Sequence, residues 1–305
     1  MAVIEIEGLR KEYRRLRHGR TLAVAGLDLS VPEGGVFGFL GPNGAGKTTT
    51  IRCLLGLIRP TAGNARLLGA ANPAELAKVL PRVGSIVEVP AQFPAFSARK
   101  NLTLLGKLNG VGRKSVDQVL ERVGLAERAG DPVRTYSLGM KQRLGIAASL
   151  LKDPEVLILD EPANGLDPAG IKEVRELLRE LAAGGRTVFL SSHLLTEVEQ
   201  VCDRVAILNR GRTVAVGPVE EVLARGQPAS LVVRLPQLDR GMEILRSAGI
   251  DAAIETDHLT VSLPPQQGAR VTRALADAGL YLSELRAQEI SLEDEFLELT
   301  KDTPA

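Results

Sequence analysis

Three stretches of the chain are apolar at almost every position and then stop at something chemically distinctive. "GVFGFLG" (35–41) runs into a Gly-rich turn, "EVLILDEP" (155–162) into two acids, and "RTVFLSSH" (186–193) into small polar residues and a histidine. Continuous apolar runs of this length predict strands of a largely parallel sheet, buried on both faces. Ligands of such sheets bind beyond the carboxyl ends of the strands, so the three endings belong to one expected site. Between about 95 and 152 the pattern turns helical, in "SARKNLTLLGKLNG", "KSVDQVLERVGL" and "SLGMKQRLGIAASLLK", the last read as amphipathic. Strand–helix alternation thus runs from the start of the chain, with a helical insertion.

After about 225 alternation restarts without Gly-rich loops: "SLVVRL", "DRGMEILRSAG", "IDAAIET", "HLTVSLP", "GARVTRALADAG", "YLSELRAQ". That order predicts a small ferredoxin-like βαββαβ unit. "SLEDEFLELT" (291–300) would close it, and "GQPAS" (226–230) reads as the linker before it. The expected fold class is α/β: a core over 1–225 with a helical insertion at about 90–152, in which "GPNGAGKT" (41–48) between strand and helix marks a P-loop NTPase, then a C-terminal ferredoxin-like α+β accessory domain over 226–305.

Composition narrows the partners. Hydrophobic residues make up 44% of the 305 but aromatics only 3%, so Leu, Val, Ile and Ala must build the core. Thirty-eight basic residues nearly cancel 37 acidic ones, which gives bulk charge no part in binding nucleic acid or anionic membrane. Arg10, Lys11, Arg14, Arg15, Arg17 and Arg20 form a local basic cluster of the kind that is usually solvated. Cys53 and Cys202 have neither disulfide-framework nor metal-ligand spacing, as suits a reducing compartment. The N-terminus lacks the apolar segment of a signal peptide, and no run of about 20 apolar residues predicts a membrane span.

"GPNGAGKT" (41–48) satisfies G-x-x-x-x-G-K-[ST] between a predicted strand and helix, the context that motif requires. In Gly41, Pro42, Asn43, Gly44, Ala45 and Gly46 the glycines let the backbone turn its N–H groups toward phosphate oxygens. Lys47 would reach the β- and γ-phosphates, Thr48 would place its hydroxyl on Mg²⁺, and Thr49 adds a hydrogen bond at the helix start. Asp160 would hold Mg²⁺ through water, and Glu161 would orient and polarise the attacking water. His193, at the third strand end, would hydrogen-bond the γ-phosphate and that water. "YSLGMKQRLGIA" (136–147) is a helix start that favours an anion yet carries no base, metal ligand or nucleophile.

With "GPNGAGKTT", "YSLGMKQR", "VLILDEPANGLD" and "SSH" in that order, residues 3–225 resemble the ATP-binding subunit of an ABC transporter. The resemblance implies ATP as the nucleotide and a head-to-tail pair of ATPase subunits, homo- or heterodimeric. Ser137 and Gly139 would contact the γ-phosphate of ATP held by the opposite subunit, and "NGLD" would cross that interface at Asp167. Tyr13 is placed like the family's adenine-stacking aromatic, though it suits packing as well. It also implies a separate integral-membrane permease and a place on the cytoplasmic side of the membrane.

Two departures stand out. The family's "LSGGQ" is here "YSLGM", keeping the Ser and second Gly but carrying Leu138 and Met140. Where most members have a Gln that touches Mg²⁺ and transmits motion, "VGSIVEVPAQF" offers Glu88, with Gln92 four residues later; Glu88 is preferred, since a carboxylate ligates Mg²⁺ well. Both departures, with "VEVPAQFPAFSARKNL" and "SLEDEFLELT", are similar to the bacitracin, lantibiotic and daunorubicin-type export branch. Export of an antibiotic, peptide or lipid-like compound is therefore expected. "PAQFPAFSARKNL" (90–102) would lie near the permease, with Phe93 and Phe96 either contacting it or packing internally. The alternatives are a soluble non-transport ABC ATPase and a nucleotide-gated scaffold without turnover.

Overall fold

Val156–Asp160 and Thr187–Ser192 are buried at every position, and this burial explains why their sequences lack polar alternation. In the computed structural model, which describes residues 1–15, 19–88, 92–223 and 230–288, both are interior strands of a six-stranded sheet. The closing "SLEDEFLELT" segment, Arg17, residues 226–229 of the linker and residues 90–91 of the stretch expected near a permease fall outside the described residues. The chain forms two compact units, Met1–Val219 and Glu220–Ala305.

The first unit opens with two long strands, β1 (Ala2–Arg15) and β2 (Gly19–Pro32), then β3 (Gly35–Leu40) and helix α1 (Lys47–Leu54). Next come β4 (Ala62–Leu67), β5 (Ala70–Ala71), a single turn α2 (Leu76–Val79) and β6 (Val83–Ile86). Three helices follow: α3 (Ala98–Leu108), α4 (Arg113–Arg122) and α5 (Leu138–Leu150). The unit ends with β7 (Val156–Asp160), α6 (Pro168–Ala183), β8 (Thr187–Ser192), α7 (Leu195–Val201), β9 (Arg204–Asn209) and β10 (Arg212–Pro218).

The large sheet runs β10-β9-β3-β8-β7-β6. Its strands are parallel except β10, which pairs antiparallel with β9. A second, antiparallel sheet, β2-β1-β4-β5, corrects the expectation of strand–helix alternation from the start. Its cause is visible in β2, where buried and exposed positions alternate from Ala25 to Pro32 as in a strand with one wet face. Both sheets share a core in which Phe39 and Phe189 lie 5.2 Å apart and Phe37 stacks on Phe189.

Helix α5 also departs from its reading. It is polar in its first turns, but Leu144 to Ala147, Ser149 and Leu150 are buried on all sides, so it is not amphipathic along its length. It packs against β6 so closely that a Cβ on Gly84 would lie 2.4 Å from the Ser149 carbonyl oxygen.

A short helix, α8 (Val219–Leu223), leads out of the first unit. The second contains β11 (Leu231–Arg234), α9 (Leu238–Ser247), β12 (Ala252–Glu255), β13 (His258–Val261), α10 (Gly268–Asp277) and β14 (Glu284–Ala287). Its antiparallel sheet runs β12-β13-β11-β14 over a core of its own, centred on Val233, Leu259 and Val271.

Candidate nucleotide site

The loop between β3 and α1 is shaped by contacts that exclude side chains. A Cβ on Gly46 would meet the Ala23 carbonyl oxygen at 2.5 Å, and one on Gly41 the Leu208 carbonyl oxygen at 2.6 Å. Gly44 and Gly46 have φ of 84° and 105°, where L residues are strained. Pro42, Asn43 and Gly44 are exposed, Ala45 is buried, and Thr48 and Thr49 are half-buried in the first turn of α1. No side chain caps that helix, which leaves its first N–H groups and positive dipole end to an anion.

Strand order converts three distant segments into one site. Strand β8 lies between β3 and β7 with Asp160 in register opposite Ser191, and the Gly41 amide donates to the Ser192 carbonyl at 3.3 Å. Lys47, only 5% exposed, points its Nζ back at the Gly41 carbonyl at 2.6 Å and at Glu161 Oε1 at 3.1 Å. The other Glu161 oxygen is 2.8 Å from His193 Nδ1. The acid thus bridges the loop lysine and the histidine.

Asp160 is buried, and its Oδ1 accepts the Ser191 hydroxyl at 2.5 Å. The same hydroxyl accepts from the Glu161 amide at 3.0 Å. That amide belongs to a residue at φ 50°, a strained conformation for glutamate. Ser191 therefore orients both acids. It is the first serine of "SSH", a position whose role shows only in the paired strands.

The remaining candidates face elsewhere. Ser137 caps α5, its hydroxyl accepting from the Met140 amide at 3.2 Å, and Asp167 caps α6, accepting from the Gly170 amide at 3.1 Å. A Cβ on Gly139 would lie 3.8 Å from the Gly170 Cα, so these two helix starts are neighbours. Tyr136 is a packing residue: it is buried, and its hydroxyl donates to the Arg128 carbonyl at 2.7 Å. Tyr13 lies half-buried on β1, with Lys11 Nζ 5.1 Å from its ring centre. The Lys11 ammonium also donates to the Arg59 carbonyl, and Arg10 and Arg20 both reach Glu12.

Glu88, at φ 65°, is paired with Arg52 of α1, whereas Gln92 donates to the Lys141 carbonyl of α5 at 2.8 Å. The two candidates for one role are held by different helices. Phe93 is 60% exposed and lies 5.5 Å from the half-buried Phe96.

A glycine loop between strand and helix, its lysine touching an acid from the end of a second parallel strand, defines a P-loop nucleoside triphosphatase. The sequence model of the family described as ABC transporter matches residues 24–164. The bacitracin transport ATP-binding protein BcrA of Bacillus licheniformis is 40% identical, with 97% of each chain covered. The daunorubicin resistance ATP-binding protein DrrA3 of Streptomyces coeruleorubidus is 38% identical over 98% of this chain and 96% of its own. Among solved structures, cbiO1 from Clostridium perfringens, part of the ABC transporter complex cbiONQ, is 31% identical with a TM-score of 0.65, covering 73% of this chain and 91% of its own. The chain belongs to the ABC transporter ATP-binding proteins. It is an ABC ATPase, and its ATP hydrolysis is coupled to transport.

Proposed function

We propose that the chain is the motor subunit of an exporter for an antibiotic, peptide or lipid-like compound, working as a head-to-tail pair beneath a separate permease. The contact of Lys47, Glu161 and His193 carries the catalytic part of this reading. Glu161 orients and deprotonates the attacking water, and His193 holds that carboxylate and reaches the γ-phosphate. The backbone N–H groups of Asn43, Gly44 and Gly46, with Lys47, Thr48 and Thr49, bind the phosphates, and Tyr13 stacks on adenine. Relatives named for bacitracin transport and daunorubicin resistance support export. Among the described residues no helix is long and apolar enough to cross a membrane, so the reading places the membrane path in another chain and this one on the cytoplasmic side.

Mg²⁺ fits the donor set. Asp160 is a buried carboxylate with Oδ1 already fixed by Ser191, and Thr48 adds a hydroxyl beside the cradle. Mg²⁺ needs only one or two protein carboxylates when substrate phosphates and water complete its shell. Thr48 and Asp160, partly through water, and Glu88 once released from Arg52 would hold the ion, which supplies charge neutralisation on the phosphates.

The outward-facing starts of α5 and α6 support the paired arrangement. Ser137, Gly139 and Asp167 lack a phosphate loop of their own to serve and would act on the ATP of a second ATPase subunit. We read 1–225 as the ATPase domain, with its insertion at about 90–152, and 226–305 as the accessory domain. The βαββαβ order of the second unit and its strand order support a ferredoxin-like assignment.

Glu161→Gln tests the scheme. The variant should bind ATP, lose hydrolysis and accumulate as an ATP-dependent dimer by light scattering; turnover at the parent rate would overturn the assignment of Glu161. Export is tested by expressing the chain with its membrane partner and measuring resistance to peptide and polyketide antibiotics. No change in susceptibility or efflux would count against it.

A further inference from the structure

We propose that Arg143 is a positioning residue that ties the signature helix to α6, so that Ser137, Gly139 and Asp167 meet a partner's nucleotide as one surface. The inference rests on the head-to-tail reading above. Arg143 leaves α5 two turns after Ser137, and its guanidinium reaches two other helices. Nη1 donates to the Val123 carbonyl at 2.9 Å and approaches the Gly124 carbonyl at 3.5 Å, taking up carbonyls that the end of α4 leaves free. Nη2 lies 3.2 Å from Glu173 Oε2 on α6. A single planar fork thus joins α4 and α5 of the helical insertion to the helix that follows the "NGLD" loop.

Glu173 is 53% exposed, and an ion pair so open to water contributes little to stability. Its geometric effect is larger. Gly139 and Gly170 place the starts of α5 and α6 in contact, with Leu138 Cδ2 3.3 Å from where a Gly165 Cβ would stand. Contact between glycines limits distance but permits the helices to slide. The Arg143–Glu173 link, about one turn further along each helix, fixes that sliding. A rigid fork making hydrogen bonds in several directions suits the task where a lysine would not. The phosphate loop and Glu161 lie outside this linkage, so nucleotide binding by one chain should not depend on it.

The test uses the full chain in a Glu161→Gln background, where ATP should trap the dimer. Adding Glu173→Gln or Arg143→Ala should leave the affinity of one chain for a fluorescent ATP analogue unchanged. Each should weaken ATP-dependent dimerisation by about tenfold, a loss of about 1.4 kcal/mol from the shared surface. Arg143→Lys keeps the charge toward Glu173 and should recover part of the loss. With Glu161 intact, Glu173→Gln should lower kcat while the melting temperature stays within about 2 °C. Equal dimerisation with and without Arg143 and Glu173 would overturn the proposal. If the Glu161→Gln parent stays monomeric even beside its membrane partner, the head-to-tail reading itself fails. Glu173→Gln changes a half-exposed side chain, so it carries the test if Arg143→Ala does not fold.

Discussion

The two halves of the nucleotide site are built on opposite plans. On the phosphate-loop side the lysine, the two acids and the histidine are tied together: Lys47 meets Glu161, Glu161 meets His193, and Ser191 holds Asp160 and the Glu161 amide. On the signature side Ser137 and Asp167 turn to their own helices as caps, and no phosphate loop lies between them. The first half has its geometry set by the sheet beneath it. The second has a prepared pair of helix starts, and a helix start binds an anion only when one is delivered. Such an asymmetry suits a site that is completed by a second chain.

Substitutions at Glu161 and Gly46 attack the first half, and their effects should be the largest. Glu161→Gln keeps the shape of the side chain but removes its basicity, so kcat should fall by ~10²–10⁴-fold, the usual range for general-base catalysis. Equilibrium binding of ATP separates this from a binding defect. Gly46→Ala should abolish ATP binding outright, because its Cβ would sit 2.5 Å from the Ala23 carbonyl oxygen at a φ of 105°. Retained micromolar-range affinity in Gly46→Ala, measured by titration calorimetry, would show that the cradle can reshape itself.

Gly139→Ala is the matching probe of the second half. There the added methyl would find only ordinary contacts, at 3.8 Å from the Gly170 Cα and 3.9 Å from Ser137 Oγ. The variant should fold and bind ATP like the parent, yet lose hydrolysis if the backbone at Gly139 must approach a neighbour's phosphate. Full activity would sever the glycine from the site. Ser137→Ala and Asp167→Ala should each destabilise the chain by about 1 kcal/mol through loss of a cap. Their loss of turnover should exceed what that destabilisation explains.

Which features were legible in the sequence follows from how local their causes are. The phosphate loop, Asp160, Glu161 and His193 stand out because each terminates an apolar run, and burial of a parallel strand is written into consecutive residues. Ser191 does not stand out, because its importance comes from lying in register with Asp160, a pairing 31 residues distant. The β1–β2 hairpin was missed for a related reason. Its register shifts at several points, so no single period-2 pattern runs its length. Helix α5 was misread as amphipathic because its polar first turns hide that the later ones are enclosed by β6, α4 and α6. The division of one expected role between Glu88 and Gln92 likewise depends on contacts with Arg52 and Lys141, which neither position advertises.

The smallest expected effect concerns the two thiols, both in the first unit. Cys53 lies in the last turn of α1, the helix that follows the phosphate loop, and Cys202 caps the end of α7; both are buried. Burial pushes both thiols above their ordinary range, and the neighbouring Asp203 carboxylate raises Cys202 further. The thiolate is the reactive form, so at about pH 8, near the pKa of a free thiol, the native chain should alkylate far more slowly than the unfolded chain. Raising the pH should speed labelling only modestly until the fold opens. ATP bound to the loop stabilises the folded form by mass action, so it should slow labelling of Cys53 by the same factor as it slows unfolding. In Gly46→Ala that protection should vanish, whereas in Gly139→Ala it should persist unchanged. Mass spectrometry of the labelled peptides distinguishes the two cysteines. Equal protection in both glycine variants would mean that ATP protects the chain without the cradle, and the contrast between the two halves would not stand.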